Sequence, residues 1–281
     1  MQMTCALQWC ASASHVQMCQ RRATLSSENP AAAPSNRVGT LSIGTYSIGT
    51  YLIGTLADAQ GHLLTSSTKQ VRPMITVHHL NNSRSQRIIW LLEELGVPYE
   101  IKRYERDAKT NLAPAELKAV HPLGKSPMIQ DGPHTIIESG AIVDYLIRRH
   151  GHGALQPDPA SATYDEYVQW LHFAEGSAML PLMLNLYVGR LGDAGAPLHP
   201  RIESELENYL GYLNTALSLT PYLVGEELTG ADVQMSFVGE LAKAQGKLDA
   251  YPHLSAWVER LQARPAYQKA IEQGGEYKFA K

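Results

Sequence analysis

The sequence predicts an α/β domain with a mixed sheet, followed by an all-helical domain. Between residues 74 and 151, short runs with β-strand composition alternate with runs whose apolar residues recur at helical spacing, in the order β-α-β-α-β-β-α. Between residues 162 and 281, every periodic segment is helical. The stretch 152–161 between them is rich in Gly and Pro, which indicates a linker.

The elements of the first domain follow from apolar periodicity and from the residues that end each run. Apolar side chains at helical spacing follow Ser83, Gly96 stands where a left-handed helix cap belongs, and Pro98 bars continuation. The turn residues 131–133 separate two β runs and predict a hairpin. The predicted strands span 75–80, 99–104, 126–130 and 135–138, and the predicted helices span 83–96, 113–120 and 139–151.

The helices of the second domain are predicted in the same way. The longest, 163–191, is expected to bend near Gly176 or Pro181. Thr229 and Asp232 have the spacing of a capping box, which predicts a helix start. The other predicted helices span 199–219, 229–246 and 251–273, the last interrupted at Pro265.

Residues 1–73 differ in composition from the rest of the chain. The segment "LSIGTYSIGTYLIGT" repeats a five-residue unit, which fits neither a strand period of two nor a helix period of 3.6. We expect an unstructured, low-complexity extension, with the folded protein starting at Met74. The alternative is an organelle transit peptide, because the stretch before the repeat is rich in Ser and Ala and carries arginines with the single acid Glu28.

The cysteines exclude several kinds of chemistry. Cys5, Cys10 and Cys19 lie within the first twenty residues, and 20–281 contains no cysteine. A disulfide framework, a thiolate zinc site and a catalytic cysteine are therefore excluded from the main body of the chain. A reducing compartment suits such a chain, and we expect a cytoplasmic location.

Composition and patterning exclude other classes of partner. With a formal net charge of −3 and no basic stripe, the chain is not expected to bind nucleic acid. The longest apolar window, 178–188, is too short to span a bilayer, so no membrane partner is predicted. His78 and His79 are adjacent on a predicted strand and would point to opposite faces, so no metal site is predicted.

Four motifs, in order along the chain, resemble those of the soluble glutathione S-transferase family, in its serine-type branch. They are "NSRSQR" (82–87), "HPLGKSPMI" (121–129), "IIESGAIVDYL" (136–146) and "LTGADVQMSF" (228–237). The resemblance covers 74–281 and implies a thioredoxin-like first domain with a four-stranded sheet. In that fold the first helix begins at the reactive site, and since this chain has no cysteine there, disulfide exchange is excluded.

The resemblance implies that Ser83 is the catalytic hydroxyl, four residues before Arg87. Ser83 would donate a hydrogen bond to the sulfur of glutathione and favour the thiolate, with Arg84 adding positive potential. Two alternatives remain. Ser83 and Gln86 form an S-x-x-Q pattern, so the role of Ser83 could be limited to capping the helix. The second alternative is Ser85, which is the nearest other hydroxyl.

The same resemblance implies how the rest of glutathione is bound. A cis bond before Pro127 would leave the backbone of Ser126 free to pair with the tripeptide, whereas an ordinary trans proline at a strand start is the alternative. Ser139 would hold the γ-glutamyl carboxylate at a helix N-terminus and Glu138 the ammonium group, unless either residue merely caps that helix. Lys125 would face the glycine carboxylate.

Met179, Met183 and Tyr187 are the candidates for an apolar electrophile pocket, with helix core as the alternative. We therefore expect a glutathione transferase that conjugates the thiolate to a small hydrophobic electrophile, with glutathione as co-substrate, no metal, and a homodimeric assembly. Another glutathione-dependent reaction (isomerase, dehalogenase or peroxidase) and a non-catalytic glutathione-binding module are the alternatives.

Overall fold

The computed structural model describes residues 74–280. The prediction of an unstructured extension at 1–73 lies outside the described residues. No helix within 74–280 is both long and apolar enough to cross a membrane.

The first domain contains a four-stranded mixed sheet, as predicted. Its strand order is β2-β1-β3-β4, with β1 parallel to β2 and antiparallel to β3, and with β3 antiparallel to β4. The alternating apolar residues of β1 bury Ile75 and Val77 in the core. The strands are β1 Ile75–Leu80, β2 Tyr99–Tyr104, β3 Met128–Asp131 and β4 His134–Ile137.

Three helices accompany this sheet: α1 Gln86–Leu95, α2 Leu117–Val120 and α3 Ser139–His150. Gly96 ends α1 in the left-handed conformation, with φ 63° and ψ 27°, as its position after the apolar run predicts. The apolar face of α1 is buried, apart from the partly buried Leu95 at its end, and it packs against the helical domain as well as against α3. The start of α1 therefore lies where the two domains meet.

The second domain is helical throughout, as predicted. The predicted helix 163–191 is interrupted by a π-helical segment at 174–178 that contains Gly176, and a 3₁₀ segment at 189–198 follows it. The helices are α4 Ala162–Phe173, α5 Met179–Val188, α6 His199–Ala216, α7 Gly230–Ala244, α8 Pro252–Gln262 and α9 Pro265–Gly274.

Helix α7 is the centre of this domain and is buried on nearly every face. The predicted capping box is present, since the Thr229 backbone N–H donates to Asp232 Oδ2 at 2.9 Å. Asp232 also accepts from the backbone N–H of Leu223 and from Trp257 Nε1, at 2.9 and 3.0 Å. Because α7 also contacts α1 and α3, its position fixes how the helical domain covers the start of α1.

Candidate functional site

A cavity of about 330 Å³ opens between the end of β4, the turn before β3 and the start of α3. Five of its lining residues are the ones that the sequence motifs nominate for ligand binding: Lys125, Ser126, Pro127, Glu138 and Ser139. They come from two segments of the chain, and the antiparallel pairing of β3 with β4 brings those segments together. Arg84 from the turn before α1 and Glu175 from the π-helical segment complete the charged part of the lining.

The Ser126–Pro127 peptide bond is cis. The hydroxyl of Ser126 donates to the backbone carbonyl of His78 at 2.8 Å and accepts the Leu80 N–H at 3.3 Å, so the side chain is fixed against β1. The ladder between β1 and β3 begins at Met128, which leaves the Ser126 backbone outside it. The edge of the cavity therefore contains a peptide unit that is not part of the sheet.

Helix α3 begins at this cavity with an unusual backbone. Glu138 precedes the helix with φ 64° and ψ 116°, in the left-handed range that a residue with a Cβ rarely adopts, and its side chain is exposed. Neither Glu138 nor Ser139 caps the helix through its side chain, so the capping alternative is wrong for this pair. The first-turn N–H groups of α3 are therefore left without a side-chain cap at the cavity wall.

The hydroxyl of Ser139 is held from behind by two donors. Arg87 Nη2 donates to Ser139 Oγ at 2.5 Å and Gln234 Nε2 donates at 3.2 Å, and Ser139 is buried. Because both contacts use the oxygen as acceptor, the hydroxyl hydrogen of Ser139 remains available for a further bond. Arg87 also donates to the backbone carbonyl of Gln234, which ties α1 to α7 behind the site.

Glu175 is a site residue that the sequence motifs did not identify. It pairs with Arg87 at 2.5 Å and with Arg84 at 2.8 Å. Burial by itself would raise the pKa of Glu175, but the two arginines together outweigh burial and lower it. The only sequence signal is an acid within a largely apolar helical run, because its partners Arg84 and Arg87 lie 91 and 88 residues away in the chain.

Ser83 lies in the turn before α1, next to Arg84, and is almost fully buried, at 5% exposure. The capping-box alternative is wrong: both polar atoms of the Gln86 side chain lack partners within the described residues. Ser83 Oγ instead accepts the N–H of Ser85, two residues on, at 3.2 Å. Ser83 is not among the residues that line the 330 Å³ cavity, whereas its neighbour Arg84 is.

A chain of hydrogen bonds runs from Ser83 into the protein. Ser83 Oγ is 2.8 Å from Ser85 Oγ, which is 2.8 Å from Nδ1 of His79. Burial, together with the nearby charge of Arg103, lowers the pKa of His79 to about 4, so the ring is neutral at neutral pH. The single hydroxyl hydrogen of Ser85 has the Leu80 carbonyl, at 3.2 Å, and the His79 ring as its acceptors, so we infer that Ser83 donates to Ser85. The rival hydroxyl, Ser85, has no exposed surface.

The three candidates for the electrophile pocket lie apart from the cavity. Met179 is buried in the core at 3% exposure, and Met183 is partly buried against that core. Tyr187 is 55% exposed at the end of α5. Within residues 74–280, no group of three or more His, Cys, Asp or Glu side chains is arranged to hold a metal ion.

Comparisons with known proteins match both domains. Residues 72–148 match the family model described as glutathione S-transferase, N-terminal domain, and residues 178–265 match that of the C-terminal domain. Glutathione S-transferase 3 of Schizosaccharomyces pombe is 35% identical over 215 residues, which cover 71% of this chain and 87% of the relative. Glutathione S-transferase 1 of Saccharomyces cerevisiae is 32% identical over 223 residues, covering 71% and 95%.

Solved structures agree with these matches. A glutathione S-transferase from Actinobacillus pleuropneumoniae is 35% identical, covers 74% of this chain and 96% of its own, and superposes with a TM-score of 0.67. A glutathione transferase family member from Pseudomonas fluorescens, solved with two glutathione molecules bound, is 27% identical, covers 73% and 95%, and has a TM-score of 0.62. The chain therefore belongs to the glutathione S-transferase family.

Proposed function

We propose that this protein is a serine-type glutathione transferase that joins the glutathione thiolate to a small hydrophobic electrophile. The observation that supports this most strongly is the gathering of Lys125, Ser126, Pro127, Glu138 and Ser139 around one cavity. These residue types supply a cation, a free peptide unit, an acid and a helix N-terminus, which are the groups that a zwitterionic tripeptide requires.

Glutathione would lie along the cavity in an extended conformation. Its γ-glutamyl carboxylate would accept from the first-turn N–H groups of α3 and from the free hydroxyl hydrogen of Ser139, where the helix dipole favours negative charge. Glu138 would accept from the ammonium group, and Lys125 would face the glycine carboxylate at the other end. The backbone of Ser126 would pair with the central residue of the tripeptide.

The sulfur would then lie near Ser83, whose neighbour in the chain, Arg84, lines the cavity. Ser83 would donate its hydroxyl hydrogen to the thiolate and so lower the pKa of the thiol, which is about 8.5 when free. The thiol proton passes to solvent, and the thiolate attacks the electrophilic carbon: the S–C bond forms, and the leaving group departs with its bonding electron pair. Proximity supplies the other main contribution to rate.

The electrophile would bind on the α5 side, with the exposed ring of Tyr187 as its apolar contact and with Met183 and the buried Met179 behind it. The proposal includes a homodimeric assembly and a cytoplasmic location. Sedimentation of the purified chain and fractionation of the source cells test these two points.

Two measurements on the purified full chain test the proposed function. We expect the protein to be retained on immobilised glutathione and to conjugate glutathione to an aryl halide. Retention without turnover would instead favour a glutathione-binding module, and turnover confined to a peroxide or haloalkane substrate would favour another glutathione-dependent reaction. Absence of both retention and turnover would refute the proposal.

A further inference from the structure

Arg106 is attached to the turn that carries Ser83. Its Nε donates to the backbone carbonyl of Asn81 at 3.3 Å, and its Nη2 donates to that of Asn82 at 3.4 Å. Its Nη1 donates to the carbonyl of Asn111 at 3.1 Å. The guanidinium group therefore lies against the two residues that precede Ser83.

Within residues 74–280, the charge of Arg106 has no acidic partner. No carboxylate within residues 74–280 lies within 4.0 Å of its guanidinium group, and the adjacent Asp107 accepts hydrogen bonds from Thr110 and Lys109 through Oδ1. A guanidinium group has five N–H donors, and three are used on carbonyls, which leaves two for a ligand. Arg106 is only half-buried, so a ligand can reach it.

The surroundings of Arg106 are positively charged and include the proposed electrophile contact. The phenol of Tyr187 and the guanidinium group of Arg84 are both close enough to influence its pKa, which burial lowers. The guanidinium group of Arg190 lies 5.9 Å from the centroid of the Tyr187 ring. Arg84 is already paired with Glu175, so of the two arginines at the turn that carries Ser83, Arg106 is the one without an acidic partner among the described residues.

We propose that Arg106 sets electrophile specificity, so that the enzyme prefers electrophiles carrying a carboxylate near the carbon that the sulfur attacks. This inference rests on the proposed transferase function. A carboxylate accepts charge-assisted hydrogen bonds from guanidinium N–H groups, and such bonds are stronger than neutral ones. The same charge stabilises the negative charge that develops on an aromatic electrophile when the thiolate adds to it.

A matched pair of electrophiles tests the proposal: 4-chloro-3-nitrobenzoate and its methyl ester. Both lose chloride from the same ring carbon, and they differ in one charge. In Arg106→Gln, which keeps N–H groups for the carbonyls of the turn, we expect the carboxylate-to-ester ratio of kcat/KM to fall by about tenfold or more. The KM for glutathione should stay within about threefold, because Lys125 and the start of α3 bind the tripeptide.

Two further variants complete the experiment. Arg106→Lys keeps the charge and should restore part of the ratio, whereas Arg148→Gln, on an exposed residue of α3, should leave it unchanged. An equal loss on both electrophiles in Arg106→Gln would overturn the proposal, since Arg106 would then only hold the turn. A raised KM for glutathione with an unchanged ratio would also overturn it. If wild type conjugates neither electrophile, the proposed function fails instead.

Discussion

Replacing Ser83 with Ala tests the proposed thiolate donor most directly. The Ser83 hydroxyl is 2.8 Å from Ser85 Oγ, to which it donates. To stabilise the thiolate, its hydrogen must therefore leave a neutral oxygen for a charged sulfur. A hydrogen bond to a charged acceptor contributes roughly 1.5–3 kcal/mol and one to a neutral acceptor roughly 0.5–1.5 kcal/mol, so the exchange contributes only about 1 kcal/mol.

That difference sets the expected size of the effect. Since one pKa unit corresponds to about 1.4 kcal/mol, Ser83→Ala should raise the pKa of the bound thiol by somewhat less than one unit and lower turnover at neutral pH about fivefold. Glutathione affinity should change by less than about twofold, because the contacts to both ends of the tripeptide remain. The free energy of unfolding should fall by about 1–2 kcal/mol, because Ser83 also accepts the Ser85 N–H.

The thiol pKa is measured from the ultraviolet absorbance of the bound thiolate against pH, and stability from urea unfolding. Ser236→Ala is the matched control: Ser236 is also a buried serine, and its hydroxyl donates only to the Val233 carbonyl on its own helix. The control should lose stability with an unchanged thiol pKa. If Ser83→Ala behaves in the same way, the hydroxyl has only a structural role and the proposed donor is wrong.

Three further predictions concern stability, each measured by urea unfolding. Glu175→Gln leaves the buried Arg87 without its counter-charge and should cost about 3 kcal/mol. Because the folded-state pKa of Glu175 is lowered, its contribution to wild-type stability is present above its unfolded pKa of 4.5 and is lost as the pH falls below that value. An unchanged stability of Glu175→Gln at pH 7 would contradict the pairing of Glu175 with the arginines. Burial raises the pKa of Glu240 to about 7 from 4.5, so wild type should lose stability on the order of 2–4 kcal/mol between pH 4.5 and 7 through this group, and Glu240→Gln should remove that slope. Gly230→Ala places a Cβ against the Cδ1 methyl of Ile147 and should cost about 1–3 kcal/mol, whereas Gly176→Ala, with nothing within 4 Å, serves as the neutral control.

The sequence by itself determined the fold and most of the proposed glutathione cavity, because those features depend on local signals. The left-handed cap at Gly96 and the capping box at Thr229 and Asp232 depend on residues close together in the chain. The ligand residues lie on two segments joined by a short hairpin, so the prediction of that hairpin already brought both segments to the same cavity.

Only the tertiary structure decided the roles of side chains that depend on distant segments. The spacing of Gln86 predicts that it caps α1, but its side-chain oxygen lies directly against Gly274, so it packs against α9 instead. Glu175 pairs with Arg84 and Arg87, which are 91 and 88 residues away in the chain, and Met179 is buried because of how α5 packs. Such outcomes depend on how helices pack, which no local pattern records.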